Sequence, residues 1–139
     1  MLHIDVSPEG VVVFANFVSG LPEIDYYSPR DRGIRRLVPQ GAECRFSTDG
    51  KWLAYNSKLV IYVQPFPGPG GRIQISSSAG AQPVWSRDGR HLFYIALDKK
   101  LMEVDFDPRT ATASAPRVLF QTRILSTRCP QSIPRPLPC

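Results

Sequence analysis

No apolar run in this chain approaches the roughly 18 uninterrupted residues that cross a bilayer, and the opening Met1-Leu2-His3-Ile4-Asp5 is neither a basic nor an apolar leader. A membrane span is therefore excluded for this chain. As written it is expected in the cytoplasm, with a membrane-tethered or periplasmic parent protein left open. Cysteine is scarce: Cys44, Cys129 and Cys139 form no C-x-x-C pair, and their odd number argues against a closed disulfide framework. Cys44, within Glu43-Cys44-Arg45-Phe46, reads as a small buried apolar residue. A Gly-x-Ser-x-Gly elbow is missing, and so are the Gly-rich loop, His-Arg-Asp and Asp-Phe-Gly of kinases. The chain is expected not to be an enzyme, with no catalytic residue, no cofactor and no metal. Helical periodicity is also missing from any segment longer than about ten residues.

Acid is absent after Asp107. The formal charge is +5, yet the part up to Asp107 balances twelve basic against twelve acidic residues. The excess is Arg109, Arg117, Arg123, Arg128 and Arg135. These arginines are spread out, with no interleaved aromatics and no lysine cluster, so nucleic acid is not an expected partner.

What is present is a repeated turn. Ser7-Pro8-Glu9-Gly10, Ser47-Thr48-Asp49-Gly50 and Ser86-Arg87-Asp88-Gly89 recur at a spacing of about forty residues. Each precedes a strand-like run: Val11-Val12-Val13-Phe14, Trp52-Leu53-Ala54-Tyr55 and His91-Leu92-Phe93-Tyr94. A β-type repeat of that period marks a propeller blade. Ser and Asp side chains accept nearby backbone N–H groups in tight turns, and glycine supplies positive φ without a steric penalty. Glu9, Gly10, Asp49, Gly50, Asp88 and Gly89 are thus assigned as structural turn residues. One acid per repeat is too sparse for calcium, which takes six to eight oxygens.

Four short strands are expected per repeat: 2–6, 11–17, 24–27 and 34–38; then 43–46, 52–56, 60–64 and 72–76; then 82–85, 91–96, 101–106 and 117–121. Trp52-Leu53-Ala54-Tyr55 and Leu92-Phe93-Tyr94-Ile95 are apolar at every position, as strands covered on both faces are. The Gly-rich Pro65-Phe66-Pro67-Gly68-Pro69-Gly70-Gly71 lacks the Gly-Lys-Ser/Thr ending of a phosphate loop and reads as a hairpin connection. His3 and His91 fall on strand-like runs with no adjacent nucleophile, and His91 takes the place of Trp52, which predicts a packing role.

The expected fold is all-β: a partial β-propeller of about three four-stranded antiparallel blades (about 2–40, 41–80 and 81–125), then an irregular Pro-rich tail over 126–139. That tail, disordered or out of frame, holds four prolines after Cys129 and cannot pair as a central strand. Three blades make about half a ring, since propellers close with about four to eight. Each open face is expected to bare several hundred Å2 of apolar surface. The prediction is a marginal chain that self-associates through its open faces or takes a protein partner.

Phe46-Ser47-Thr48-Asp49-Gly50-Lys51-Trp52-Leu53-Ala54-Tyr55 with Ile61-Tyr62-Val63-Gln64-Pro65-Phe66-Pro67-Gly68 resembles the WD40-like PD40 repeat of TolB-type propellers. Gln82-Pro83-Val84-Trp85-Ser86-Arg87-Asp88-Gly89 is similar to the following blade, and the wording is nearest to propellers trailing bacterial serine/threonine protein kinases. The family's Ser-Pro-Asp-Gly is complete in no copy. The resemblance implies a non-catalytic protein- or ligand-binding or sensor module of a larger bacterial protein. Its alternatives are a kinase's C-terminal propeller, the gating propeller of a prolyl-oligopeptidase-like hydrolase, or a TolB-like periplasmic complex component. After Ile124 such proteins usually run on into another blade, so the break near Ser126 suggests a frameshift or truncation.

Overall fold

The computed structural model describes residues 4–18, 20–68 and 70–123. His3 and the Pro-rich tail lie outside them. All regular structure among the described residues is β.

The first sheet holds β1 (Ile4–Val6), β2 (Val12–Val18), β3 (Leu21–Ser28) and β4 (Gly33–Val38) in sequence order. The second repeats this with β5 (Ala42–Phe46), β6 (Trp52–Ser57), β7 (Val60–Pro65) and β8 (Ile73–Gln74). The third has β9 (Gly80–Trp85), β10 (His91–Ala96) and β11 (Lys100–Asp107), with a divided outer edge. There β12 (Thr112–Ala113) pairs Phe106 and Asp107, while β13 (Arg117–Gln121) pairs Lys100 to Glu103. Every pairing is antiparallel.

Several strand limits depart from expectation for identifiable reasons. β8 is two residues rather than 72–76 because Ser76 Oγ accepts the Ile61 amide at 2.9 Å, and the chain leaves the ladder there. β3 starts at Leu21 because Gly20, at φ +82°, reverses the chain at once. β12 was not foreseen: two residues between loops carry no period.

The middle sheet explains the runs that are apolar at every position. Along β6, Leu53 and Tyr55 join Val13, Ile24, Val38, Cys44 and Phe46 in one core between the first two sheets. Ala54 joins Ile61, Val63, Leu92, Tyr94, Val104 and Phe106 in a second core between the last two, with Trp52 packed against it. Alternate side chains of one strand thus bury into opposite neighbours, as the period of two requires. Cys44 is fully buried in the first of these cores, and that burial pushes its thiol up to about 12.

Candidate functional site

The repeated turns form one rim of the molecule. In the second repeat the Ser47 hydroxyl donates to Asp49 Oδ1 at 2.7 Å and accepts the Trp52 amide at 3.1 Å, while Asp49 Oδ1 accepts the Lys51 amide at 3.0 Å. The third repeat copies this: Ser86 to Asp88 at 2.6 Å, Arg90 amide to Asp88 at 3.0 Å, His91 amide to Ser86 at 3.0 Å. In the first, Ser7 Oγ accepts the Val11 amide directly at 3.1 Å. That copy is one residue shorter, and the residue lost is the one whose amide the aspartate would accept; Glu9 therefore stands where no Asp is needed. Gly10, Gly50 and Gly89 have φ of +85°, +75° and +72°, the left-handed region that side chains resist.

These bonds also set the acidity of the turn carboxylates. Burial pushes Asp49 up, but the Lys51 amide, the Ser47 hydroxyl and the Lys51 charge together outweigh it and hold it below its ordinary value. The Ser86 hydroxyl and the Arg90 amide hold Asp88 low in the same way.

Between successive turns lie clefts. The first, 520 Å3, is bounded by Glu9, Arg30, Asp49 and Lys51; the second, 210 Å3, by Thr48, Trp52, Arg87 and Asp88. A third of 620 Å3 continues the row past the last turn, against Arg90, His91, Asp105 and Arg109. Charges of both signs line the row: Lys51, Arg87 and Arg90 stand on the turns, while the Asp49 and Asp88 carboxylates are engaged by the turns' own hydroxyls and amides.

Two features escaped sequence reasoning. The first is a recurrent bulge. Glu43 and Gln82 occupy equivalent places in the inner strands β5 and β9, both left-handed at φ +54° and +56°. Each follows a Gly-Ala pair, Gly41-Ala42 and Gly80-Ala81, and the pairing register slips at each strand. A Cβ on Gly80 would meet Tyr94 Cδ2 at 2.7 Å and one on Gly41 would meet Ile24 Cδ1 at 2.9 Å, so glycine is needed for the close approach. The repeated Gly-Ala was the signal available.

The second is a charged cluster on the outward face of the third sheet. Arg117 binds Asp105 at 2.7 and 3.1 Å and also pairs with Glu103. It holds the Asp105 carboxyl low, and the two acids raise its own basicity in return. His91 Nδ1 lies 2.8 Å from Asp105 Oδ1 in a close approach that is not an aligned hydrogen bond. His91 therefore packs among charges and not, as Trp52 does, edge-on against Phe106. Donor atoms of His91, Glu103 and Asp105 lie within 4.8 Å of one another, a spacing that a cation can span, but Arg117 occupies both carboxylates.

The fold itself is now decided by comparison. TolB from Acinetobacter baumannii superposes with a TM-score of 0.65 at 21% identity, over 87% of this chain and 32% of TolB. The β-propeller domain of the Trilobed protease from Pyrococcus furiosus, which has an open velcro topology, gives 0.62 at 17% identity over 88% of this chain and 43% of that one. The chain is a partial β-propeller. An auxiliary nutrient binding protein from Bacteroides ovatus gives 0.63 at 14% identity, over 86% of this chain and 31% of its own. The three sheets are therefore three blades, and the chain spans between about a third and under half of each of these structures. No family model and no curated protein matches the sequence. Among the described residues no helix is long and apolar enough to cross a membrane.

Proposed function

We propose that this chain is a non-catalytic binding module that presents the turn rim of its blades to a protein partner, as part of a larger bacterial protein. The observation that carries this is the row of clefts between successive braced turns. Such a row is an extended surface with charges of both signs, suited to a polypeptide rather than to one small molecule. Trp52 and Phe106 line the clefts from the core between the last two sheets, whereas Lys51 and Arg87 stand on the turns themselves.

The superposition on TolB supports a role as a component of a periplasmic complex; the repeat's likeness to kinase-trailing propellers supports a sensor region behind a kinase. The protease propeller domain supports a gating role in a peptidase. The coding sequence that flanks this chain separates the three.

Selection from a displayed random-peptide library tests the rim. The intact chain should enrich a peptide family that K51E/R87E no longer enriches. Enrichment that survives K51E/R87E, or no enrichment by the intact chain, contradicts the reading.

A further inference from the structure

We infer that the cleft between the first two blades, at the end of the molecule opposite the turn rim, binds a small organic acid: one carboxylate carried on a short apolar body. The inference is independent of what the rim binds. Both walls of the cleft come from blades whose strands lie within the described residues.

The strand order places this cleft. The repeated turn enters β6 at Trp52, whereas the hairpin of Lys58 and Leu59 leaves it after Ser57, at the other end. Tyr55 pairs with Tyr62, and Ser57 with Val60, across β6 and β7. Tyr55 lies in the core between the first two blades, so by the period of two Ser57, Val60 and Tyr62 face the first blade as well. Val38 and Gln40, at the end of the first blade, close the other side. The cleft measures 290 Å3, at the lower bound of the roughly 300–1,000 Å3 of ligand pockets.

Three observations set its chemistry. The first is charge. Lys58 and Arg72 line the cleft and no acid does. Among the described residues neither cation has an ion pair. The third blade's equivalent hairpin differs, because there Asp98 pairs with Lys100 at 3.3 Å. Two like charges at one cleft repel, and an anion between them relieves that repulsion.

The second is Ser57. It is 6% exposed and faces the cleft, yet its hydroxyl has no hydrogen-bond partner among the described residues. A buried hydroxyl without a partner is costly, and a carboxylate oxygen accepts from it.

The third is a guanidinium held in place. Arg72 Cζ lies 3.9 Å from the centre of the Tyr62 ring, and Tyr62 stacks on Tyr55 at 6.0 Å between ring centroids. The fork is thus fixed before a ligand arrives, and its geometry matches a planar carboxylate. Val38 and Val60 add an apolar wall. An inorganic anion would leave that wall wet, whereas the carbon body of an organic acid covers it.

Titration of the intact chain with benzoate, benzamide and inorganic phosphate, followed by amide chemical shifts, tests this. Benzoate should shift the amides of Gln40, Ser57, Lys58 and Val60 saturably. Benzamide has the body without the charge, and phosphate the charge without the body. Each should bind at least about tenfold more weakly. In S57A and in R72Q the affinity for benzoate should fall roughly tenfold, while the unfolding midpoint of S57A stays in place because no bond is lost. The absence of saturable benzoate shifts at these amides overturns the proposal. So does benzamide binding as tightly as benzoate, or phosphate doing so, which would leave an inorganic anion site only. Unchanged benzoate affinity in either variant, or a lowered midpoint in S57A, overturns it as well.

Discussion

The carboxylate of Glu43 accepts the backbone amide of Gln82 at 3.1 Å, and both residues hold left-handed backbone, at φ +54° and +56°. The bond ties the bulge of one inner strand to the bulge of the next, so the irregularity repeats as faithfully as the turns do. Left-handed backbone costs a residue with a Cβ about 1–2 kcal/mol. Q82G should therefore raise stability by up to about 1 kcal/mol after the glycine's own entropic cost, while E43A should lower it by about 1 kcal/mol through the lost hydrogen bond. Urea unfolding of both variants checks the opposite signs.

A hairpin tells a similar story. Lys58 and Leu59, between β6 and β7, have φ of +51° and +70°. Two central residues at positive φ make the turn that normally takes Asn-Gly. K58N/L59G should stabilise the chain by about 1–2 kcal/mol, read as a raised unfolding midpoint with an unchanged urea slope. A lowered midpoint would contradict the turn assignment.

The turn glycines separate strain from crowding. A Cβ on Gly89 would meet nothing within 4 Å, whereas one on Gly50 would lie 3.0 Å from Pro8 Cδ and 3.3 Å from Ser7 Cβ. G89A should cost about 1 kcal/mol from backbone strain alone. G50A should cost more, because the first turn must also yield. Equal losses in thermal unfolding would show that the two turns do not touch.

Acid should weaken the fold in one direction. Asp49, Asp88 and Asp105 are held below the ordinary aspartate value of 3.8. A depressed folded value means that the folded chain binds fewer protons than the unfolded one. The associated stability is fully present above about 3.8 and is lost as pH falls through the lower folded values. The midpoint of unfolding should be flat down to that region and fall below it, and D88N should flatten the acid limb. A midpoint that rises into acid would contradict the hydrogen bonds described at the turns.

The turns and most strands were legible because their causes are local. Serine, aspartate and glycine act within five residues of one another, and the strand runs of β6 and β10 are contiguous. The bulges were not, because Glu43 and Gln82 carry no compositional mark of left-handed backbone. Only the flanking Gly-Ala, which permits the close approach to Ile24 and Tyr94, betrays them. The packing role of His91 rests on analogy with Trp52, but the following blade that gives Trp52 its packing has no counterpart among the described residues. The open faces were expected to bare several hundred Å2 of apolar surface. They also carry charge: Glu23 and Asp25 are buried on the first blade's outward face, where Arg36 pairs with Glu23 at 3.1 Å. Charges at such places depend on a neighbouring surface, which a periodic pattern does not report.

Peptide selection on the intact chain beside K51E/R87E tests the central claim most directly, that the braced turn rim is the binding surface. The account predicts a peptide family enriched by the intact chain and lost in the variant. The same family enriched by both chains would contradict it.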